Sequence, residues 1–307
     1  MKIGNVKLKN NLILAPMVGI NDTAFRILCK NYGAGLVYTE MINANAIFNK
    51  NKATLKKLDF IEEERPITVQ LFGANIEMLK HAAKTAEKSA DIIDINFGCP
   101  DTKVLHQGSG AALLKRPQRI FDIVKTIVDS VSIPVTAKIR LSKDNIKIAK
   151  LIEEAGASAI AVHARTPKQG YSGKAEWNAI KKIKENINIP VIANGDIFSG
   201  KDAYDILKLT KCDFLMIGRA AMSNPAVFKE IDYYLKNNKE NKISNKELFF
   251  EYAKIADKYG YPKFDFVKRH ALNFSSGMRN SVSLRRNLNN IKNIKDLKKE
   301  MDSFIKL

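Results

Sequence analysis

The feature that most constrains this chain is a rhythm. Eight short apolar runs recur across its first two thirds: Leu12–Ala15, Leu36–Tyr38, Ile67–Leu71, Ile92–Ile95, Val135–Ile139, Ala159–His163, Val191–Ala193 and Phe214–Ile217. Most are followed by a helical pattern. Residues Asn21 to Asn31 are amphipathic and stop at Gly33. Residues Pro117 to Val131 set Ile120, Ile123, Val124, Ile127 and Val128 on one face. Ile146 to Ala155 stops at Gly156, Ser199 to Lys208 opens on a polar cap, and Asn224-Pro225 reads as a cap followed by proline at the first helical position. Strands that are apolar throughout, rather than alternating, are buried on both faces, as in parallel sheets covered by helices. Eight such units predict an α/β fold, a closed (β/α)8 TIM barrel. The rival, an open doubly wound sheet, would carry a GxGxxG turn after its first strand. Pro16-Met17-Val18-Gly19 does not supply one.

A barrel localises function, because catalytic groups collect at the carboxyl ends of its strands and phosphate on the last two loops. Strand three ends at Gln70. Strand four runs into Asn96-Phe97-Gly98-Cys99-Pro100, where glycine frees the backbone and proline stiffens it, so Cys99 is presented from a rigid turn. Strand five ends Lys138-Ile139-Arg140, strand six His163-Ala164-Arg165, strand seven Asn194-Gly195-Asp196 and strand eight Gly218-Arg219-Ala220. Backbone donors beside glycines, with an arginine, suit a phosphate-bearing cofactor or substrate. Cys29 sits inside a helical pattern and Cys212 just before a strand, so both read as packing.

Three cysteines without close pairing point to a reducing cytoplasm rather than a disulfide framework. Four histidines and no CxxC or HExxH pattern argue against a metal site. No apolar run is long enough to span a membrane, and the first residues lack a signal-peptide core. The net charge of +19 bears on partners, and nucleic acid is the leading one. After Tyr234 the character changes. Lys236 to Lys242 is polar and reads as a linker, and Ser244-Asn245-Lys246-Glu247 reads as a capping box. Helical patterns follow through Gly260, over 263–274, 283–291 and 294–305. We therefore divide the chain into a barrel, 1–240, and a small all-α domain, 241–307. The latter holds 15 Lys and Arg against seven acidic residues, twice the barrel's density of positive charge. Lys268-Arg269-His270, Arg279 and Arg285-Arg286 are its candidate phosphate contacts.

The stretch Ile93-Asp94-Ile95-Asn96-Phe97-Gly98-Cys99-Pro100, with Val104 and Gly110-Ala111, resembles the signature of the tRNA-dihydrouridine synthases. So do Ala15-Pro16-Met17 with Asp22, Phe25 and Arg26, then Gln70, Lys138-Ile139-Arg140, His163-Ala164-Arg165, Asn194-Gly195-Asp196 and Gly218-Arg219-Ala220. The resemblance implies an FMN-dependent barrel, with NADPH or NADH as reductant. It also implies a helical domain that grips tRNA and a product, 5,6-dihydrouridine. By that resemblance Pro16, Met17, Val18, Gln70, Lys138, His163, Asn194, Gly195, Asp196, Gly218 and Arg219 hold the flavin. Cys99 is the proton donor, and Asn96, Arg140 and Arg165 contact the uridine or its backbone. One departure is the sequence Ala271-Leu272-Asn273-Phe274, where many members carry an aromatic pair.

Those residue types suit the chemistry. Uracil's 5,6 double bond is conjugated to a carbonyl, so hydride arriving at carbon 6 must be matched by a proton at carbon 5. A thiol with an unperturbed pKa near 8.5 is mostly protonated at neutral pH and can give it. The alternatives are another FMN barrel reducing a free pyrimidine or an enone, and a non-catalytic RNA-binding barrel.

Overall fold

The computed structural model describes residues 1–244, 247–260 and 263–305. Eight parallel strands form one sheet: β1 (Leu12–Leu14), β2 (Val37–Asn43), β3 (Ile67–Phe72), β4 (Ile92–Phe97), β5 (Val135–Arg140), β6 (Ala159–His163), β7 (Val191–Asn194) and β8 (Phe214–Ile217). The order is β1-β8-β7-β6-β5-β4-β3-β2, and a parallel bridge from Ile13 to Leu36 joins its two ends. The sheet is thus a closed barrel, as the eight apolar runs predict.

Helices cover its outside: α1 (Thr23–Asn31), α2 (Ile76–Ala86), α3 (Pro117–Val128), α4 (Asn145–Glu154), α5 (Trp177–Lys184), α6 (Gly200–Thr210), α7 (Arg219–Ser223) and α8 (Val227–Asn237). Their starts follow from side-chain caps. Asp22 accepts from Phe25 N–H at 2.8 Å, Asn75 from Met78 N–H at 3.1 Å and Ser199 from Asp202 N–H at 3.1 Å. Helix α3 opens on Pro117 and buries Ile120, Ile123, Val124 and Ile127, each contributing about 1.5–3 kcal/mol. This outer layer is one core. A second fills the barrel, where Ile13, Tyr38, Ile92, Ala161, Ile192 and Met216 meet. A hairpin of Lys2–Ile3 and Val6–Lys7, too short for a sequence pattern to mark, brings Ile3 and Leu8 onto that inner core.

Two expectations need correction. Helix α8 starts at Val227 rather than at Pro225, because Asn224 spends its carboxamide oxygen on the Ala226 N–H in a turn. The same helix continues to Asn237, so the linker begins only where Asn238 turns left-handed at φ 52°. The capping box at Ser244–Glu247 includes residues outside the described ones. Beyond it lie α9 (Leu248–Lys258), α10 (Phe264–Phe274), α11 (Ser281–Asn290) and α12 (Ile294–Ile305), with α9 packed against α1. No helix among the described residues is long and apolar enough to cross a membrane.

Candidate active site

A cavity of about 540 Å³ opens at the carboxyl ends of the strands. Every residue that the sequence places at the site lines it, except Arg165. Strand register explains the convergence. Asn96 lies beside Lys138, Arg140 beside His163, and His163 beside Asn194, so the polar strand ends form one tier.

Cys99 is half-buried, whereas Cys29 and Cys212 are buried. Its turn is held from two sides. Asn96 Oδ1 accepts from Gly98 N–H at 3.0 Å and from Cys99 N–H at 2.9 Å, and Cys99 C=O accepts from Ala111 N–H at 3.0 Å. Gly110, at φ 58°, lies so close that a methyl there would meet Cys99 O at 2.8 Å. Burial pushes the Cys99 thiol above its ordinary value, only partly offset by a backbone hydrogen bond at Asp101 and by Arg140 and Lys138. The thiol is therefore the form present at neutral pH, as a proton donor requires.

The strand ends beside it are cationic. Lys138 Nζ donates to Asn194 Oδ1 at 3.2 Å, and Asn194 Nδ2 in turn donates to Met216 C=O at 2.7 Å. Burial first, then Arg140, bring Lys138 down to about 8. Burial, with Lys138, Arg140, Arg165 and Arg219 around it, brings His163 down to about 2, so the ring is neutral. The same four cations give the cavity a positive potential that an anionic group would lower. Asp196 receives Arg219 and Arg165, each at 2.7 Å. Gly195, at φ 120°, leaves room that a methyl would close against His163 and Ala175.

Arg165 corrects an expectation. Its side chain is only 2 % exposed and donates to Ser172 C=O, Gly173 C=O and Asp196, so it braces the β6–α5 loop and Asp196 from behind. It does not reach the cavity. Sequence reasoning also missed the rim. Tyr171 and Phe198 are exposed, and the Arg219 guanidinium lies 5.0 and 5.2 Å from their ring centroids. Each follows a strand end by a few loop residues, where no periodicity marks it.

A dihydrouridine synthase family model matches residues 13–307. The chain belongs to the dihydrouridine synthase family. It is 45 % identical over 243 residues to tRNA-dihydrouridine synthase B of Vibrio parahaemolyticus, covering 77 % of this chain and 76 % of that protein. It is 40 % identical over 298 residues to a probable tRNA-dihydrouridine synthase of Rickettsia conorii, covering 93 % and 90 %. Among solved structures, histamine dehydrogenase from Rhizobium sp. 4-9 is similar in fold, with a TM-score of 0.60 at 14 % identity. That likeness covers 83 % of this chain and 50 % of that one.

In this family member the loop carrying Pro16, Met17 and Val18 is fastened by both halves of the chain. Asn21 Nδ2 donates to Ala15 C=O and Tyr38 C=O, both at 2.8 Å, and Glu40 accepts from Gly19 N–H. From α10, Arg269 donates to Gly19 C=O at 3.0 Å and His270 Nε2 lies 3.1 Å from Ile20 C=O. This corrects the reading of His270 as a phosphate contact. His270 is fully buried against Phe25 and Tyr252, whereas Arg269 donates to Gly19 and stays exposed. Arg279, Arg285 and Arg286 are exposed. No cluster of His, Cys, Asp and Glu among the described residues could hold a metal ion.

Proposed function

We propose that the protein is an oxidoreductase that reduces particular uridines of tRNA to 5,6-dihydrouridine, with FMN as cofactor and NADPH or NADH as reductant. The observation that carries this reading is Cys99. A protonated thiol is fixed in a rigid turn at the mouth of a cationic cavity, in a member of this family. The cavity's donor set suits FMN. Arg219 and the backbone at Gly195 and Gly218 would hold a phosphate, while Gln70, Lys138 and the Pro16–Val18 loop would hold the rest.

When bound, a reduced flavin supplies the hydride that carbon 6 of the uracil ring accepts. Cys99 gives its Sγ proton to carbon 5, and its raised pKa keeps that proton in place until it is needed. Lys138 sets a positive charge on the wall for the negative charge that develops during the reaction. Asn96 serves the base indirectly by holding the Cys99 turn, and Arg140 contacts the nucleotide. Arg165 acts through Asp196 rather than on the substrate. Residues 1–240 are the catalytic barrel and 241–307 the tRNA-binding domain, with Arg279, Arg285 and Arg286 facing the backbone phosphates. A uridine in folded tRNA must be extruded to enter, at about a few kcal/mol, which those phosphate contacts offset. Three free thiols and a tRNA substrate fit the cytoplasm.

The test is a reaction of purified protein with FMN, NADPH and unmodified tRNA, read by mass spectrometry of the nucleosides. Cys99→Ala should still bind FMN and be reduced by NADPH, yet lose uridine reduction by the ~10²–10⁴ of a missing general acid. Unchanged turnover in that variant would overturn the role of Cys99. Failure of wild-type protein to take up FMN would overturn the cofactor.

A further inference from the structure

We propose that Asp94 is a positioning residue that sets the direction of a hydrogen-bond chain ending at the Cys99 turn. The proposal rests on the reading of Cys99 given above. Asp94 lies inside the barrel on β4, two residues before Asn96, and has no solvent exposure. The parallel register aligns it with Gln70 on β3 and Thr136 on β5. Thr136 Oγ1 donates to Asp94 Oδ1 at 2.6 Å, and Gln70 Nε2 donates to Asp94 Oδ2 at 2.8 Å. Gln70 Oε1 then accepts from Asn96 Nδ2 at 2.9 Å, and Asn96 Oδ1 accepts from the Gly98 and Cys99 N–H groups.

The direction of this chain follows from donor and acceptor chemistry. An ionised carboxylate can only accept. Facing it, the Gln70 amide must present nitrogen, which turns its oxygen to Asn96. Asn96 must answer with nitrogen, which leaves its oxygen for the two backbone N–H groups that shape the Cys99 turn. Reversing either amide would set a donor against a donor inside the barrel, where an unsatisfied group is costly. The barrel interior around Asp94 includes the Lys138 ammonium and the Tyr38 phenol. Burial raises Asp94 to about 6, with Thr136, Gln70 and Lys138 holding it down, so it is ionised at neutral pH. The same charge favours the ammonium of Lys138. One buried carboxylate thus orients two side chains that line the cavity and the loop that carries the thiol.

Asp94→Ala and Asp94→Asn test this. Asparagine keeps the shape and can accept from Gln70 while donating to the Thr136 hydroxyl, so the chain survives with its direction less firmly set. Alanine removes the anchor. The first readout needs no cofactor: iodoacetamide alkylation of Cys99 in native protein, resolved by peptide mass spectrometry, with buried Cys29 and Cys212 as internal controls. The second is steady-state turnover on tRNA. In Asp94→Ala the alkylation rate at Cys99 rises about tenfold, and kcat falls about 10–100-fold with KM for tRNA unchanged, the factor one or two buried hydrogen bonds supply. In Asp94→Asn both effects shrink but persist, at about two- to fivefold from wild type. Wild-type alkylation and kcat in Asp94→Ala would overturn the proposal. If Asp94→Ala does not fold, the proposal stands on Asp94→Asn alone: an alkylation rate and kcat indistinguishable from wild type overturn it. A wild-type protein that leaves uridine unreduced would refute the function, while the alkylation comparison would still decide the positioning.

Discussion

His270 offers the most quantitative test of how the helical domain is seated. Its ring is fully buried between Phe25, at 4.8 Å, and Tyr252, at 4.3 Å. The Ile20 carbonyl can only accept, so Nε2 carries the proton, and Nδ1 has no hydrogen-bond partner. Burial brings the ring down to about 3, against 6.5 for a free histidine, and Arg269 opposes its charging as well. The folded value lies below the unfolded one. The resulting stability is whole above pH 6.5 and is lost as pH falls, because the unfolded chain takes a proton that the fold refuses. Between pH 6.5 and 4.5 the loss is two units, about 2.7 kcal/mol. Asp22, 4.0 Å away and accepting from Tyr252 Oη, runs the other way. Burial raises it to about 6, so its contribution is present below about 3.8 and is lost as pH rises through 6. The two nearly cancel in wild-type protein, which hides both. Comparing wild type with His270→Asn isolates the histidine. Urea unfolding at pH 7 and pH 4.5 should show the stability gap between the two shrinking by about 2.7 kcal/mol in acid. A gap that stays constant would refute a buried neutral His270.

Two further outcomes follow from charges on either side of the molecule. Asp196→Asn leaves the Arg165 guanidinium buried without its carboxylate. It should cost about 2–4 kcal/mol in denaturant unfolding, somewhat below the range for a fully buried pair because Asp196 is 22 % exposed. Arg165→Met, which removes the charge as well, should cost less than Asp196→Asn, and the reverse order would contradict the bracing role. Replacing Arg285 and Arg286 together by Gln should weaken tRNA binding and flatten its dependence on log salt by roughly 1.4–1.8, about 0.7–0.9 for each phosphate left unneutralised. An unaltered slope, measured by filter binding, would remove α11 from the tRNA surface.

What the sequence made legible was whatever a short-range pattern encodes. The barrel strands are buried on both faces, so apolar runs mark them, and the polar groups that cap those runs mark the cavity. Strand β2 shows the limit. It extends through Thr39, Glu40 and Met41 to Asn43, across an irregularity between Tyr38 and Met41. Its buried Glu40 is satisfied by Gly19 N–H and by Lys57 at 2.8 Å, partners that no local pattern announces. Arg165 fails for the same reason, since its place beside a strand end does not say which way its guanidinium turns. Within the Lys268-Arg269-His270 triplet, His270 fails on geometry alone. Successive helical residues point about 100° apart, so three neighbours meet three different surroundings. Lys268 stays half-buried on α10, Arg269 reaches the barrel's rim and His270 is sealed in the core.

That division of α10 bears on how the barrel and the tail work together. The cavity residues Pro16, Met17 and Val18 hang from a turn whose last two carbonyls, at Gly19 and Ile20, are both met by the tail, Ile20 sharing its carbonyl with Asp22 N–H. Gly19 sits at φ 74°, and a side chain there would run into Arg269, so the turn and the arginine fit only because the residue is glycine. Lifting the tail would strip two hydrogen bonds from this turn, one of them charge-assisted and worth about 1.5–3 kcal/mol. It would leave the side chains of Asn21 and Glu40 and the turn's own backbone hydrogen bonds to hold it. A helical domain that served solely to enlarge the RNA-binding surface could have been attached anywhere on the outer helices. Here it is fastened to the backbone of the cavity wall, so a strain on the tail reaches Val18 through two residues of chain.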